Sequence, residues 1–328
     1  MNIALSGGYF NYPLEEQLRY FQSMPEYLLY DGLKVNNQVH VYGTESYLFN
    51  RFDIYHCHHL SRTLQFQAVI KRNPLIVTLH NPFIASGFKP KLNFRLRYAL
   101  RHADKVVALS ETERQHLISD YNLDSEKIVV IPNGLKLELY TKPTVLLSRK
   151  KLGIPKDYKM ILTVGQLLPY KNINMLIEAF KKIRLRESKT VLVIKTHTQN
   201  ITDTCEEGVY IVGGKMTQQE LTDLYYSCDL YIQPSLAEAL CTCITEAMLC
   251  NRALIATNVG GTSTQIINNQ TGLLIQPTLQ DFEDTINSLL SNPSLRNTLG
   301  DNAKEYASKM FNQNQMIQEH IKLYGTSI

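Results

Sequence analysis

No Asp-x-Asp pair occurs anywhere in the 328 residues. Acidic pairs of that kind hold a divalent ion against a diphosphate, so such a site is not expected. No apolar run approaches the ~20 residues that a membrane-spanning helix needs. The opening MNIALSGGYF has neither a basic stretch nor a long apolar one, and no signal peptide is expected. Cysteine is sparse and scattered, at 57, 205, 228, 241, 243 and 250. Cys241, Cys243 and Cys250 crowd one segment, but no second cysteine pair or histidine pair completes a zinc pattern. They read as the reduced thiols of a cytosolic protein. Charge of either sign is in no large excess. The formal net charge of +4 gives no footprint for nucleic acid, and no nucleic-acid partner is expected.

What is present is an ordinary globular composition, 44% apolar and 20% charged, over a length that suggests two domains. Short β-rich runs alternate with helix-like segments nearly end to end. NIALS, QVHVYG, DIYHCH, LIVTLH, KVVALS and KIVVIP lie in the first half, and MILTVG, VLVIK, VYIVG, LYIQP, ALIAT and GLLIQ in the second. Runs that are apolar throughout suit strands buried on both faces of a parallel sheet. Amphipathic stretches such as ETERQHLISDY, NINMLIEAFKKIRL and TQQELTDLYYSC separate them. The pattern runs twice. It predicts an α/β chain of two Rossmann-like, doubly wound domains facing across a cleft. Residues 136 to 157, with prolines, basic residues and no strand, are the expected linker between domains 1–145 and 146–311. In such sheets ligands bind beyond the carboxyl ends of the strands, so the residues just after each strand are the candidates.

One such stretch is EALCTCITE, residues 238 to 246, after LYIQPS. TCITEAMLC has helical spacing, with Ile244, Ala247 and Met248 available for packing, so a helix is expected to begin near Cys241 or Thr242. Its first N–H groups carry the positive end of the helix dipole and suit a phosphate. Thr242 can cap the helix or donate its hydroxyl. Glu238 would lie beside whatever the phosphate carries, and Glu246 would face the other side of the same ligand. A carboxylate accepts two hydroxyl protons at once, which suits the diols of a ribose or a hexose. Glutamates on either side of a diphosphate fit a nucleotide sugar. The same pair, taken alone, also fits one acid favoured by the dipole and another on a solvated face.

The longer run DLYIQPSLAEALCTCITEAMLCNRALIATNVGGTSTQIINNQTGLLI resembles the signature of the retaining, metal-independent glycosyltransferases of family 4, the group 1 type with the GT-B fold. Its strand, Pro-Ser, Glu, helix, Glu-Ala-Met, strand, Gly-Gly and Thr-Gly-Leu-Leu follow that family's order and spacing. ILTVGQLLPYKNINMLIEAF resembles the start of the donor domain, and KVVALSETERQHL and IVVIPNG the end of the acceptor domain. The likeness covers residues 53 to 290. It implies that Glu246 binds the ribose hydroxyls and that Glu238 holds the transferred sugar near the reacting carbon. It places Lys171 on the donor diphosphate, where a cation stabilises the charge building on the leaving group. Gly165, Leu240, Cys241 and Thr242 belong to the same donor side, and Gly213 and Gly214 fall where the family passes near the base. His80, directly after LIVTL, matches a histidine at the family's reaction centre; a satisfied histidine at a strand end is the other reading. Gly7 and Gly8, after NIALS, stand on the acceptor side, where the backbone approaches a ligand or turns. The chain after residue 312 would cross back, so that helix 312–328 joins domain 1–145.

This chain departs from that pattern in places. Gln166 stands where the family usually has an arginine, and brings no charge. Ala239 and Cys241 replace glycines of the donor loop, and Thr264 a frequent glutamate. Lys195 and His197, at the end of VLVIKTHT, are candidates to restore the missing charge. His56, His58 and His59 follow DIY; without an acidic or cysteine partner at regular spacing they are expected to line the cleft or cap the strand, with no metal bound. Residues 87–105 place Lys89, Lys91, Arg95, Arg97, Arg101 and Lys105 among Phe88, Leu92, Phe94, Leu96 and Leu100. Cations worth ~1 kcal/mol each near an anionic leaflet would hold such a segment at a membrane surface. The stretch equally fits an ordinary amphipathic helix, or a patch for an acidic acceptor.

The resemblance thus implies a cytoplasmic enzyme, peripheral to the inner face of the membrane if the basic stretch engages lipid. It would move a hexose-type sugar, with retention, from a UDP- or GDP-linked donor to a glycan or lipid-linked acceptor in polysaccharide synthesis, without metal or other cofactor. Two other classes fit the same architecture: a non-catalytic partner subunit, for which the loss of charge at Gln166 argues, and a nucleotide-sugar isomerase.

Overall fold

The computed structural model describes residues 1–42, 51–59, 64, 67–69, 73–80, 90–143, 147–197 and 206–327. The chain forms two compact units, Met1–Lys136 with Phe311–Ile328, and Leu137–Met310. The passage at Lys136 lies at the head of the expected linker, ahead of the expected edge at 145. The cause is a 3-10 turn, Leu137–Tyr140, held within the second unit. There the Thr222 hydroxyl donates to Leu139 O and the Tyr226 hydroxyl to Tyr140 O.

All twelve β-rich runs are strands, paired in parallel. The first unit contains β1 (Asn2–Ser6), β2 (Gln38–Tyr42), β3 (Ile54–His58), β4 (Leu75–Thr78), β5 (Lys105–Ala108) and β6 (Ile128–Val130), in the order β2-β1-β3-β4-β5-β6. β3 and β4 are buried at every position, as strands covered on both faces must be. The order reverses between β1 and β3, which makes that junction the switch point of the sheet. A helix, Pro25–Leu33, starts with proline in its first turn, where a missing N–H costs nothing, and buries Leu28, Leu29 and Leu33. The last helix, Gln313–Gly325, returns to this unit and lies against it. A Cβ on Gly32 would stand 1.9 Å from Ile317 Cδ1, so glycine lets the two helices meet. Gln313 Nε2 donates to Leu28 O at 2.9 Å.

The second unit contains β7 (Lys159–Val164), β8 (Thr190–Lys195), β9 (Val209–Val212), β10 (Leu230–Gln233), β11 (Leu254–Thr257) and β12 (Leu273–Ile275). Their order, β9-β8-β7-β10-β11-β12, is that of a dinucleotide-binding sheet, with its switch point between β7 and β10. Helix Ile173–Arg186 buries Leu176, Ala179, Phe180 and Ile183 in a core shared with Phe282 and Ile286.

Of the basic segment, residues 87–89 lie outside the described residues. Residues 90–102 form helix Pro90–His102, with Leu96, Ala99 and Leu100 in the core and Phe94, Arg95, Tyr98 and Arg101 exposed, and Lys105 opens β5. Arg97 turns aside: it lies over the Tyr121 ring at 5.4 Å and donates to Asp120 O. Among the described residues no helix is long and apolar enough to cross a membrane.

Candidate functional site

The segments leaving β7 and β10 carry Lys171 and Glu238. After β7 the chain passes Gly165 and the exposed Gln166 into a 3-10 turn, Pro169–Lys171, ended by Asn172 at φ 54°. Asparagine tolerates that left-handed conformation. The loop after β10 is tied to this turn, since Leu236 N–H donates to Tyr170 O at 2.7 Å. Lys171 Nζ therefore stands 2.6 Å from Glu238 Oε1. Ser235 Oγ donates to the same oxygen at 2.6 Å and Gln233 Nε2 at 3.2 Å, while the Tyr231 hydroxyl fixes the Gln233 amide. None of these contacts is made to Oε2. The two side chains are 15% and 6% exposed. Burial would lower the Lys171 pKa, but the neighbouring Cys241 sulfur and the facing Glu238 carboxylate outweigh it, and the ammonium is held above its ordinary value.

Helix Thr242–Leu249 begins where the sequence places it, with Cys241 as N-cap. Thr242 is the first helical residue and does not cap. Leu240 and Cys241 are buried. Cys241 N–H donates to Gln265 Oε1 at 2.8 Å, and Gln265 Nε2 donates back to Cys241 O at 2.9 Å. That amide is therefore taken; those of Thr242 and Cys243, in the first turn, have no acceptor within the helix. The Cys241 thiol is held protonated by its hydrogen bond with Cys243 and by burial. Gly260 and Gly261 lie beneath the Glu238 loop. Gly261 N–H donates to Glu238 O at 2.8 Å.

Glu246 lies inside the helix and is 4% exposed. Its Oε1 accepts from the Tyr140 hydroxyl at 3.0 Å and its Oε2 from the Tyr225 hydroxyl at 2.8 Å. Both oxygens are thus engaged by tyrosine hydroxyls, which would share the group with any ligand. Lys195 ends β8, is buried, and donates from Nζ to Thr196 O at 2.7 Å and to Gly214 O. Its ammonium is thus engaged with two carbonyls, and burial lowers its pKa to about 8. Gly214 adopts φ 85°, beside the exposed Gly213. Gly165 N–H donates to Lys195 O at 2.9 Å.

The first unit gathers a second cluster at its own switch point. Gly7 follows β1 with φ 172°, an extended conformation; its need for glycine is space, since a Cβ would lie 2.9 Å from His58 Cβ. Gly8 opens the 3-10 turn Gly8–Asn11. His80, after β4, has Nε2 2.9 Å from His58 Nδ1. Among the described residues His80 Nδ1 and His58 Nε2 are buried without a partner. Burial lowers the His80 pKa to about 4 and that of His58 well below the usual range, so both rings are neutral at neutral pH. His56 is satisfied inside the core by the Tyr324 hydroxyl at 2.7 Å and the Thr78 hydroxyl at 2.8 Å. His59 Nε2 lies 2.7 Å from Glu26 Oε1. The histidines therefore have an acidic neighbour, though not at regular spacing along the sequence. Spacing hides it, because it comes from helix Pro25–Leu33. Glu26 stands three and seven residues before Leu29 and Leu33, so helical periodicity could have put it on the buried face.

Two family models match the chain, Glycosyltransferase Family 4 over residues 21–139 and Glycosyl transferases group 1 over residues 146–306. The chain belongs to the group 1 glycosyltransferases. It is 28% identical over 270 residues to a D-inositol 3-phosphate glycosyltransferase of Kineococcus radiotolerans, covering 71% of this chain and 62% of that protein. It thus spans less than two thirds of that relative's length. An uncharacterized glycosyltransferase of Methanocaldococcus jannaschii is 27% identical, with 83% and 75% covered. Among solved structures, Anabaena HepE in complex with UDP-glucose superposes with a TM-score of 0.81 at 19% identity, over 99% of this chain and all of that one. Sucrose-phosphate synthase from Thermosynechococcus elongatus gives 0.81 at 17% identity, over 99% and 98%. These likenesses show the GT-B fold, two Rossmann-like units with parallel sheets. In this group 1 glycosyltransferase the Lys171–Glu238 pair lies in the segment matched by the group 1 model, and the histidine cluster in that matched by the Family 4 model.

Proposed function

We propose that this chain transfers a hexose-type sugar, with retention and without a metal requirement, from a UDP- or GDP-linked donor to a glycan or lipid-linked acceptor. The observation that carries the reading is the Lys171–Glu238 pair beside the N-terminus of helix Thr242–Leu249, at the switch point of a sheet with dinucleotide-binding order. Lys171 and the first-turn amides stabilise the charge that grows on the departing diphosphate. Glu238 orients the sugar hydroxyls, Glu246 takes the ribose, and neutral His80 is the first unit's candidate to hydrogen-bond substrate. The leaving phosphate accepts the proton of the acceptor hydroxyl on the same face. The UDP-glucose complex of HepE supports a uridine donor. Arg95 and Arg101, exposed with Phe94 and Tyr98, suit an anionic lipid surface or a phosphorylated acceptor, and so a peripheral, cytoplasmic location.

The test is a thermal-shift panel of nucleotide sugars with and without magnesium, followed by donor hydrolysis. One donor class should raise the melting point equally in both conditions. At 100 times its dissociation constant the gain is ~2.7 kcal/mol. Silence across the panel would reject the reading. The exposed, uncharged Gln166 favours one second reading, a non-catalytic partner subunit. Tight binding with no hydrolysis and no transfer would support it.

A further inference from the structure

β10 is buried at every position, yet its last residue is a glutamine. Gln233 is 1% exposed, at the carboxyl end of an inner strand and beside the switch point of the sheet. An amide so placed is costly unless its hydrogen-bonding groups are paired. We propose that Gln233 is a positioning residue of the transfer reaction: with Ser235 it holds Oε1 of Glu238, so that Oε2 is the oxygen that meets the sugar while Lys171 is shared with the diphosphate. The inference deepens the proposed function and rests on it.

Residues two apart on a strand face the same side of the sheet. Tyr231 and Gln233 obey that spacing, and Ser235 follows just past the strand. Burial keeps the Tyr231 hydroxyl protonated, and it donates to Gln233 Oε1 at 2.6 Å. Gln233 Nε2 gives its two protons to Ser235 Oγ at 2.8 Å and to Glu238 Oε1 at 3.2 Å. Ser235 Oγ gives its own proton to Glu238 Oε1 at 2.6 Å. The sense of the amide is fixed. Turned over, it would set two acceptors, its own oxygen and Glu238 Oε1, against each other. Phenol, amide and hydroxyl therefore all direct their protons toward one carboxylate oxygen.

Lys171 Nζ reaches the same oxygen at 2.6 Å. Ammonium, hydroxyl and amide thus all meet Oε1, and none of them meets Oε2. An arriving diphosphate competes for the ammonium. It does not compete for the two neutral donors, which stem from β10 and the residues just after it. Ser235 is also held from the neighbouring strand, where the Thr257 hydroxyl donates to Ser235 O. Glu238 therefore keeps its orientation while the bond to the leaving phosphate breaks. A residue that only filled space at position 233 would be apolar, as Leu230 and Ile232 of the same strand are.

The test is steady-state hydrolysis of UDP-glucose and GDP-glucose by the full chain, with binding of UDP and GDP alone as the control. Gln233→Met keeps the side chain's length and removes its protons. It should lower kcat at least about tenfold, the worth of one hydrogen bond to a charged group. KM and the affinity for UDP or GDP should change little. Gln233→Glu sets a new carboxyl against Glu238, and two acids so close share one proton. Protonated, the new group donates as the amide does; ionised, it repels Glu238. The kcat of Gln233→Glu relative to the parent should therefore recover as pH falls from about 8 to about 5. Glu238, Lys171, Tyr231 and nearby Cys241 titrate in parent and variant alike, so the ratio isolates position 233. Melting points check the fold, and if Gln233→Met does not fold, the pH recovery decides. Parent-like kcat in both variants at every pH would overturn the inference and leave the donor reading standing. A uniform loss without recovery at low pH would overturn it too, as the mark of a purely structural residue. A parent that neither binds nor hydrolyses a donor would reject the donor reading, and this inference with it.

Discussion

Lys171 Nζ and Glu238 Oε1 stand 2.6 Å apart although 67 residues separate them in sequence. Neighbouring strands β7 and β10 bring them together, and both loops rest on backbone contacts that do not involve the pair itself. The ammonium is thus placed by the sheet and held charged by the carboxylate. A diphosphate arriving at the helix N-terminus could share it without a large rearrangement.

Removing that ammonium should therefore do two separable things. Lys171→Ala leaves a buried carboxylate with neutral donors only, at about 3 kcal/mol of stability. It should also lower turnover about 100-fold, with a smaller change in KM, because the charge matters most as the bond breaks. The paired variant Lys171→Met, Glu238→Gln should regain stability but not turnover. Recovery of turnover in that variant would remove Lys171 from the chemistry.

Glu246 calls for a gentler substitution than alanine, since two tyrosine hydroxyls depend on it. Tyr140→Phe and Tyr225→Phe should each cost about 1.5 kcal/mol in denaturant melts, the worth of a hydrogen bond to a charged group. Glu246→Gln should weaken nucleotide-sugar binding about tenfold or more, the loss of a charge-assisted bond, with unchanged circular dichroism. Unaltered affinity in calorimetry would move the ribose site elsewhere.

The central strands were legible because burial on both faces selects residue type directly, as in LIVT and LYIQ. Lys171 and Glu238 were legible as residues just beyond strand ends. Partner choice was not. Gln265 meets Cys241 from 24 residues away, and Glu26 meets His59 from 33, through sheet order and helix facing that no local spacing carries. The chain passage at Lys136 escaped for a related reason. Tyr140 looks like linker until Glu246 and Tyr226 are seen to hold it. In the basic helix, Arg95 and Arg97 read alike, yet Arg97 settles on a ring and a carbonyl while Arg95 is exposed.

The double glycine gives a sharp steric prediction. A Cβ on Gly261 would lie 1.6 Å from Ala239 O, so the backbone of the Glu238 loop must move. Gly260 adds φ 47° and a Cβ position 2.2 Å from Glu238 O. Gly261→Ala should cost about 3 kcal/mol and abolish the donor-induced thermal shift. A variant that melts and binds like the parent would show that this loop does not rest on the glycines.

Acidification should destabilise the protein through its buried histidines. Burial lowers His56 and His58 well below their ordinary value, and His80 and His320 to about 4 from 6.5. Between those limits the unfolded chain binds protons that the native state refuses, so stability falls as pH drops from 6.5 toward 4. For His320, 4% exposed, the full effect is on the order of 3 kcal/mol. Glu113, raised to about 8 by burial, acts the other way: the native state keeps a proton that the unfolded chain loses, so acidification adds stability through it. Four histidines against one such carboxyl leave a net loss. Urea melts from about pH 7 to about pH 5 should show it, shallower in His320→Phe and steeper in Glu113→Gln. A flat profile in the parent would mean that these rings are not held neutral in the core.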